Sequence, residues 1–248
     1  MSGIRYQFDD YNLEQFLSVA TSFGQERYGY VVTPNADHLI RLYDDAYFRQ
    51  MYAEAAYILM DSRFISYFLR CIRGLRVGVC PGSDLTAHLF EQVIQPDDQI
   101  VLIGGSSEQA QWLVEQFGLQ RLAHHNPPMG FIKRPDEVEE CLQFAERHSP
   151  FRFCFIAVGS PQQEIVANRL LRSDVARGLG LCVGASLDFL TGVEKRAPTV
   201  MQRLGLEWLF RLAQNPSRMA KRYLWRGPRI FFLLPRAEIV MRPATHQL

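Results

Sequence analysis

Short apolar runs that end in a glycine-containing turn and then enter a helix-length stretch recur along this chain, and they restrict its fold more than any other feature. Four are plain: residues 75–84, 100–106, 153–161 and 180–186. An earlier unit has the same order, with Tyr30-Val31-Val32 leading through Thr33-Pro34-Asn35 to a helix that carries Leu39, Leu42 and Tyr43. Strands this short and this continuously apolar are buried on both faces. They call for a mainly parallel sheet with helices above and below it.

The helix starts can be read from the same stretches. Ser160 suits an N-cap, with Pro161 at the first helical position and Gln163 closing a capping box; Ser106 and Gln109 offer the same box, and Thr33-Pro34 a simpler form. Each start directs backbone N–H groups to the carboxyl edge of the sheet, where ligands of open α/β sheets bind. The turns at Gly104-Gly105 and Gly184 are equally readable as phosphate holders and as plain tight turns. No GxGxxG or GxxxxGK[ST] pattern supports a dinucleotide fold or a P-loop. His124-His125-Asn126-Pro127-Pro128 reads as a loop between strand units.

Charge is unevenly distributed. The net charge of the 248 residues is +1, yet residues 203–236 hold eight Arg or Lys against one acidic residue, Glu207, so a mildly acidic body carries a basic tail. That tail also contains Trp208, Phe210, Tyr223, Trp225, Phe231 and Phe232, the mixture of cations and aromatic rings found in segments that lie at a membrane interface. Residues 199–214 suit one helix, with Leu204, Trp208, Leu209 and Leu212 near one stripe. Asn215-Pro216 marks a break, and Arg218, Arg222 and Arg226 follow at a spacing of four. No apolar run reaches the ~20 residues of a spanning helix, and the N-terminus lacks a signal-peptide core. The five cysteines are scattered, form no CxxC pair and read as buried free thiols in a reducing compartment. No histidine has metal-ligand spacing, so no metal and no cofactor are expected, and nucleic acid is disfavoured by the acidic body.

Two polar groupings and one carboxylate are candidates for chemistry. Asp61 follows the apolar run Ala56–Met60, where it can serve as a general base for a sugar hydroxyl or as the N-cap of a helix beginning at Ser62. Thr33, Asn35 and Asp37 crowd one helix start, and Gln162, Gln163 and Glu164 another; each set can orient a hydroxylated substrate or merely cap.

The run Val183-Gly184-Ala185-Ser186-Leu187-Asp188-Phe189-Leu190-Thr191-Gly192, continuing through Lys195-Arg196-Ala197-Pro198 and Arg203-Leu204-Gly205-Leu206-Glu207-Trp208-Leu209-Phe210-Arg211-Leu212, resembles the WecG/TagA/CpsF family of bacterial glycosyltransferases (glycosyltransferase family 26). Pro216-Ser217-Arg218, Arg222-Tyr223-Leu224, Thr33-Pro34-Asn35, Gly82-Ser83-Asp84-Leu85 and Gly159–Glu164 extend the likeness over most of the chain. The resemblance implies an inverting hexosyltransferase, independent of metal. It would move N-acetylmannosamine, its uronic acid or another hexose from a UDP-sugar to a polyprenyl-diphosphate-linked acceptor in cell-surface polysaccharide synthesis. Asp61 would be the general base; Thr33, Asn35, Gly104, Gln163, Gly184 and Asp188 would line the substrate site; Arg211, Arg218 and Arg222 would meet the diphosphate. The chain departs from the family in having Asp61-Ser62 where Asp-Gly is usual, and Val79 where an arginine is usual; Arg63, Arg73 and Arg76 are the candidate replacements.

The resulting expectation is an α/β protein with a Rossmann-like parallel sheet and helices on both faces. Residues 1–196 would form the catalytic body and residues 197–248 a C-terminal helical, arginine-rich, membrane-associating appendage whose loss leaves the body folded. The protein would be cytoplasmic and peripherally attached to the inner face of the cell membrane, with a homo-oligomer allowed. A catalytically impaired nucleotide-sugar-binding or regulatory module on the same fold is the alternative.

Overall fold

A computed structural model describes residues 4–244, apart from the side chains of Arg218, Lys221 and Arg222. Its strands are β1 (Arg5–Asp9), β2 (Tyr28–Val32), β3 (Tyr57–Ile58), β4 (Ile100–Gly104), β5 (Leu122–His125), β6 (Phe153–Ala157), β7 (Gly178–Cys182) and β8 (Glu238–Arg242). Six of them form one sheet in the order β3–β2–β7–β6–β4–β5, parallel throughout. The helices of the body are α1 (Leu13–Ser22), α2 (Ala36–Asp44), α3 (Ala46–Glu54), α4 (Arg63–Arg73), α5 (Gly82–His88), α6 (Ser107–Phe117), α7 (Pro135–Arg147), α8 (Gln162–Leu170) and α9 (Ser186–Leu190).

The apolar runs form strands because both of their faces are covered. On β4, Val101 and Ile103 enter one buried cluster, with residues of α2, α3, α4, α7 and α8. Ile100 and Leu102 enter the other, with residues of α1, α5, α6 and α9. β6 divides the same way, with Cys154 and Ile156 on the first side and Phe153 and Phe155 on the second. The parallel α/β architecture expected from the sequence is the one observed.

Several local expectations are overturned. Residues 75–80 make only a single parallel bridge, Met60 to Val79. Gly78 N–H is instead taken by Asp10 Oδ1 at 2.8 Å. A Cβ on Gly78 would stand 2.6 Å from the Tyr11 carbonyl oxygen, so the segment is fitted against the turn after β1. His124 and His125 belong to strand β5, where His124 Nε2 lies 3.1 Å from the Gly104 carbonyl oxygen. Of the cysteines, Cys80, Cys141, Cys154 and Cys182 are buried, but Cys71 is exposed.

The C-terminal segment contains α10 (Thr199–Arg203), α11 (Glu207–Gln214), α12 (Pro216–Ala220), a π turn at Lys221–Arg226 and α13 (Ile230–Leu233). The single helix expected over 199–214 is broken at Gly205, which sits at φ +71° where a left-handed glycine terminates a helix. Leu204 and Leu209 are consequently exposed, while Trp208 turns toward the body. The segment is also not wholly helical. β8 pairs in parallel with β1 from Arg5–Glu238 to Asp9–Arg242, and Ile230, Leu234 and Ala237 are buried in the same cluster as Tyr6 and Phe8. A bidentate Arg229–Asp44 pair (2.7 and 2.8 Å) and bonds from Arg73 to the Leu234 and Pro235 carbonyls add further ties. β8 thus completes the cover over β1.

Candidate active site

The end of β3 sets the site. Leu59 N donates to Val32 O (2.9 Å) and Asp61 N to Pro34 O (3.3 Å), which carries Asp61 to the carboxyl edge beside α2. The Met60–Val79 bridge, with Cys80 N donating to Met60 O (2.9 Å), brings the start of α5 alongside, and Gly82 N–H donates to Asp61 Oδ1 at 2.9 Å. A Cβ on Gly82 would meet Thr33 Oγ1 at 2.8 Å, so glycine permits this close approach. Asp61 does not cap the following helix: Ser62 does, its Oγ accepting from Ile65 N at 3.3 Å.

Asp61 lines a cavity of about 380 Å³ between the body and the C-terminal segment, within the range of small-molecule sites. Asn35 and Arg63 contribute from the body, and Glu207, Trp208, Arg211 and Tyr223 from the other side. Asn35, not Thr33, is the N-cap of α2, its Oδ1 accepting from Asp37 N (3.1 Å) and His38 N (3.5 Å). Arg211 places its guanidinium 4.6 Å from the centre of the Phe189 ring.

Charge around the cavity is organised by Arg63. Its Nη2 donates to Asp84 Oδ2 (2.8 Å) and its Nη1 to Glu207 Oε1 (3.2 Å); Arg196 binds the other Asp84 oxygen. Burial alone would raise the Asp84 carboxyl, but the Arg196 and Arg63 guanidiniums outweigh it and hold it below its ordinary range. Glu207 is shifted the other way. Burial, and then the Asp61 charge, raise its carboxyl against the lowering pull of Arg63 and Arg211.

Of the described candidates, Thr33, Gly104, Gln163, Gly184 and Asp188 lie outside the cavity lining. Gln163 is buried on α8 and gives its amide N–H to Glu164 Oε1 (3.0 Å), while its Oε1 has no partner. The expected Ser160 cap is absent: α8 begins after Pro161 with no side-chain cap, and Gln163 Oε1 lies 3.5 Å from where a Cβ on Gly184 would stand. Glu164, enclosed in the body, is raised by burial and faces His38 Nε2 at 3.7 Å. Asp188 is engaged elsewhere, accepting from Gln109 Nε2 at 3.0 Å; the same nitrogen reaches Thr191 Oγ1, tying α9 to α6. Gly104 is a turn residue at φ +92° whose added Cβ would strike the Ala157 carbonyl at 2.8 Å. The Ser106–Gln109 capping box forms as expected and occupies the N–H groups of those two residues at the start of α6. The side chains of Arg218 and Arg222 are outside the described residues.

Of the candidate replacements for an arginine at Val79, Arg63 is in the cavity and Arg73 is spent on backbone carbonyls. The sequence marks Glu207 as the one carboxylate of a basic stretch but gives it no place in the site; its isolation among cations is the signal that points there. Among the described residues no group of His, Cys, Asp or Glu is arranged to hold a metal ion, and no helix is long and apolar enough to cross a membrane.

The cavity, with its carboxylate and arginines, lies at the carboxyl edge of a parallel α/β sheet, where such sheets bind ligands. The chain belongs to the Glycosyl transferase WecG/TagA/CpsF family, whose sequence model matches residues 1–243. The members of that family are glycosyltransferases of cell-surface polysaccharide synthesis.

Proposed function

We propose that this protein transfers a hexose from a UDP-sugar to a polyprenyl-diphosphate-linked acceptor with inversion and without a metal ion, at the membrane surface. The supporting observation is Asp61, held through Oδ1 by Gly82 N–H in a cavity flanked by Arg63 and Arg211. Asp61 takes the proton of the acceptor hydroxyl as the oxygen attacks the anomeric carbon. The bond from that carbon to the UDP oxygen breaks on the opposite face, and the leaving diphosphate is met by arginine. In this reading Asn35, Thr33, Gln163 and Gly184 serve the donor, and the diphosphate is assigned to Arg211, Arg218 and Arg222. The exposed side of the C-terminal segment faces the lipid. In support, Trp225 is 81% and Phe232 67% exposed, beside Leu224, Phe231 and the basic residues of the segment.

The test is Asp61→Asn. UDP release in the presence of a lipid-diphosphate sugar should fall by about 10²–10⁴-fold, with UDP affinity changed little. Turnover retained at the wild-type rate removes Asp61 from the mechanism. The alternative, a binding or regulatory module without turnover, draws on Val79 being packed against the core where the family usually has an arginine. Measurable UDP binding with no release from any of a panel of UDP-sugars would favour it.

A further inference from the structure

Glu207 is out of keeping with its surroundings. It is the sole acidic residue of the stretch 203–236, it lines a cavity with Arg63 and Arg211, and its Oε1 accepts a charged hydrogen bond from Arg63 Nη1 at 3.2 Å. It also stands close enough to Asp61 for the two carboxylates to repel, an arrangement that costs free energy unless cations offset it. Arg63 has one hand fixed: Nη2 is bound to Asp84, which Arg196 also holds. Its other hand reaches the Glu207 carboxylate across the cavity, on an element separate from its own. An oxygen anion on Arg63 inside a substrate cavity is the geometry a phosphate oxygen would adopt.

We infer that the Glu207 carboxylate is a resident stand-in for a substrate phosphate, and that an entering diphosphate displaces it from Arg63. The inference rests on the reading of the cavity as a diphosphate site. Displacement leaves Asp84 and Arg196 in place, so Arg63 keeps its position while changing its anion. Glu207 thereby weakens the binding of every diphosphate and keeps Arg63 oriented while the site is empty. The groups facing Glu207 are Asp61 from the end of β3, Arg63 on α4, Asp84 on α5 and Arg211 on its own helix; Lys195 and Arg196 line the small neighbouring cleft. Because the Glu207 carboxyl is raised, acidification should neutralise it before Asp84 and release Arg63.

The experiment measures binding of UDP and of farnesyl diphosphate to the full chain, wild type against Glu207→Gln, by quenching of tryptophan fluorescence and by calorimetry. The glutamine variant should bind at least one of the two diphosphates about tenfold more tightly at neutral pH, since a like charge has been removed from the anion site. A gain for UDP alone assigns Arg63 to the donor, and a gain for farnesyl diphosphate alone to the acceptor. The advantage should shrink as pH falls, because protonation of wild-type Glu207 mimics the substitution, and Arg63→Gln in the Glu207→Gln background should abolish it. Glu207→Ala, checked for an unchanged melting temperature, should show the same gain. Wild-type binding that is unchanged or weakened in both Glu207 variants overturns the displacement alone. Failure of both probes to bind wild type and variants overturns the diphosphate reading, and the inference with it.

Discussion

Gly82 and Tyr28 show how much a single residue carries here. The Gly82 amide orients Asp61, and the Thr33 hydroxyl leaves no room for a methyl group there. Gly82→Ala should therefore shift the amide from Asp61 and lower kcat by about tenfold or more, with KM moving less, since a lost orienting bond is felt at the reacting group. Equal loss of UDP affinity would point to a collapsed site instead. The Tyr28 hydroxyl is buried with no hydrogen-bond partner, against Gly180 of β7. Tyr28→Phe removes a desolvated polar group and should stabilise the protein by about 1 kcal/mol, read as a higher melting temperature. Asp84 contributes to stability with a definite sign. Its folded-state value lies below the ordinary 3.8, so its contribution is present above that pH and is lost as pH falls through the lowered value. Glu207 is raised and acts oppositely, favouring the folded state when protonated and losing that contribution as pH rises. Asp84→Asn should lower the melting temperature at neutral pH and flatten its decline at the acid end. Asp61 and Asn35 could be picked out as polar residues at strand ends. The engagement of Asp188 by Gln109 could not, because the two are far apart in the chain and meet only when α9 packs on α6.

At the scale of elements, the strands that are apolar on both faces were legible and the others were not. β5 is half-buried throughout and carries two histidines, so neither its composition nor its alternation distinguishes it from a loop; its pairing with β4 makes it a strand. β1 and β8 are each other's partner from opposite ends of the chain, a pairing that no local pattern encodes. Gly205 separates α10 from α11 and lets the chain pass Phe64, where an added Cβ would stand 3.1 Å from Phe64 Cα. Gly205→Ala imposes a left-handed φ on a residue with a side chain, at about 1–2 kcal/mol, and crowds α4. The expected result is looser docking of α11, seen as a red shift of Trp208 emission and a raised KM. Unaltered emission and KM would show that α11 docks without this turn.

For the molecule as a whole, the C-terminal segment is both cover and closure. Deleting residues 237–248 removes β8, uncovers Tyr6 and Phe8 and takes Arg242 from Asp9, so the melting temperature should drop sharply. Substituting Trp225 and Phe232 with Ala should leave it unchanged while weakening attachment to anionic vesicles at low salt. If that double variant binds vesicles like the wild type, the exposed rings do not face lipid. By itself the sequence determined the parallel α/β architecture and the position of the polar strand ends, because burial on both faces and turn chemistry are local and periodic properties. Only the tertiary structure decided that Arg63 stands between Asp84 and Glu207, and that the chain's last strand seals its first. The Arg63–Glu207 contact and the β1–β8 pairing join residues more than a hundred positions apart, and their free energy exists only after the elements have packed.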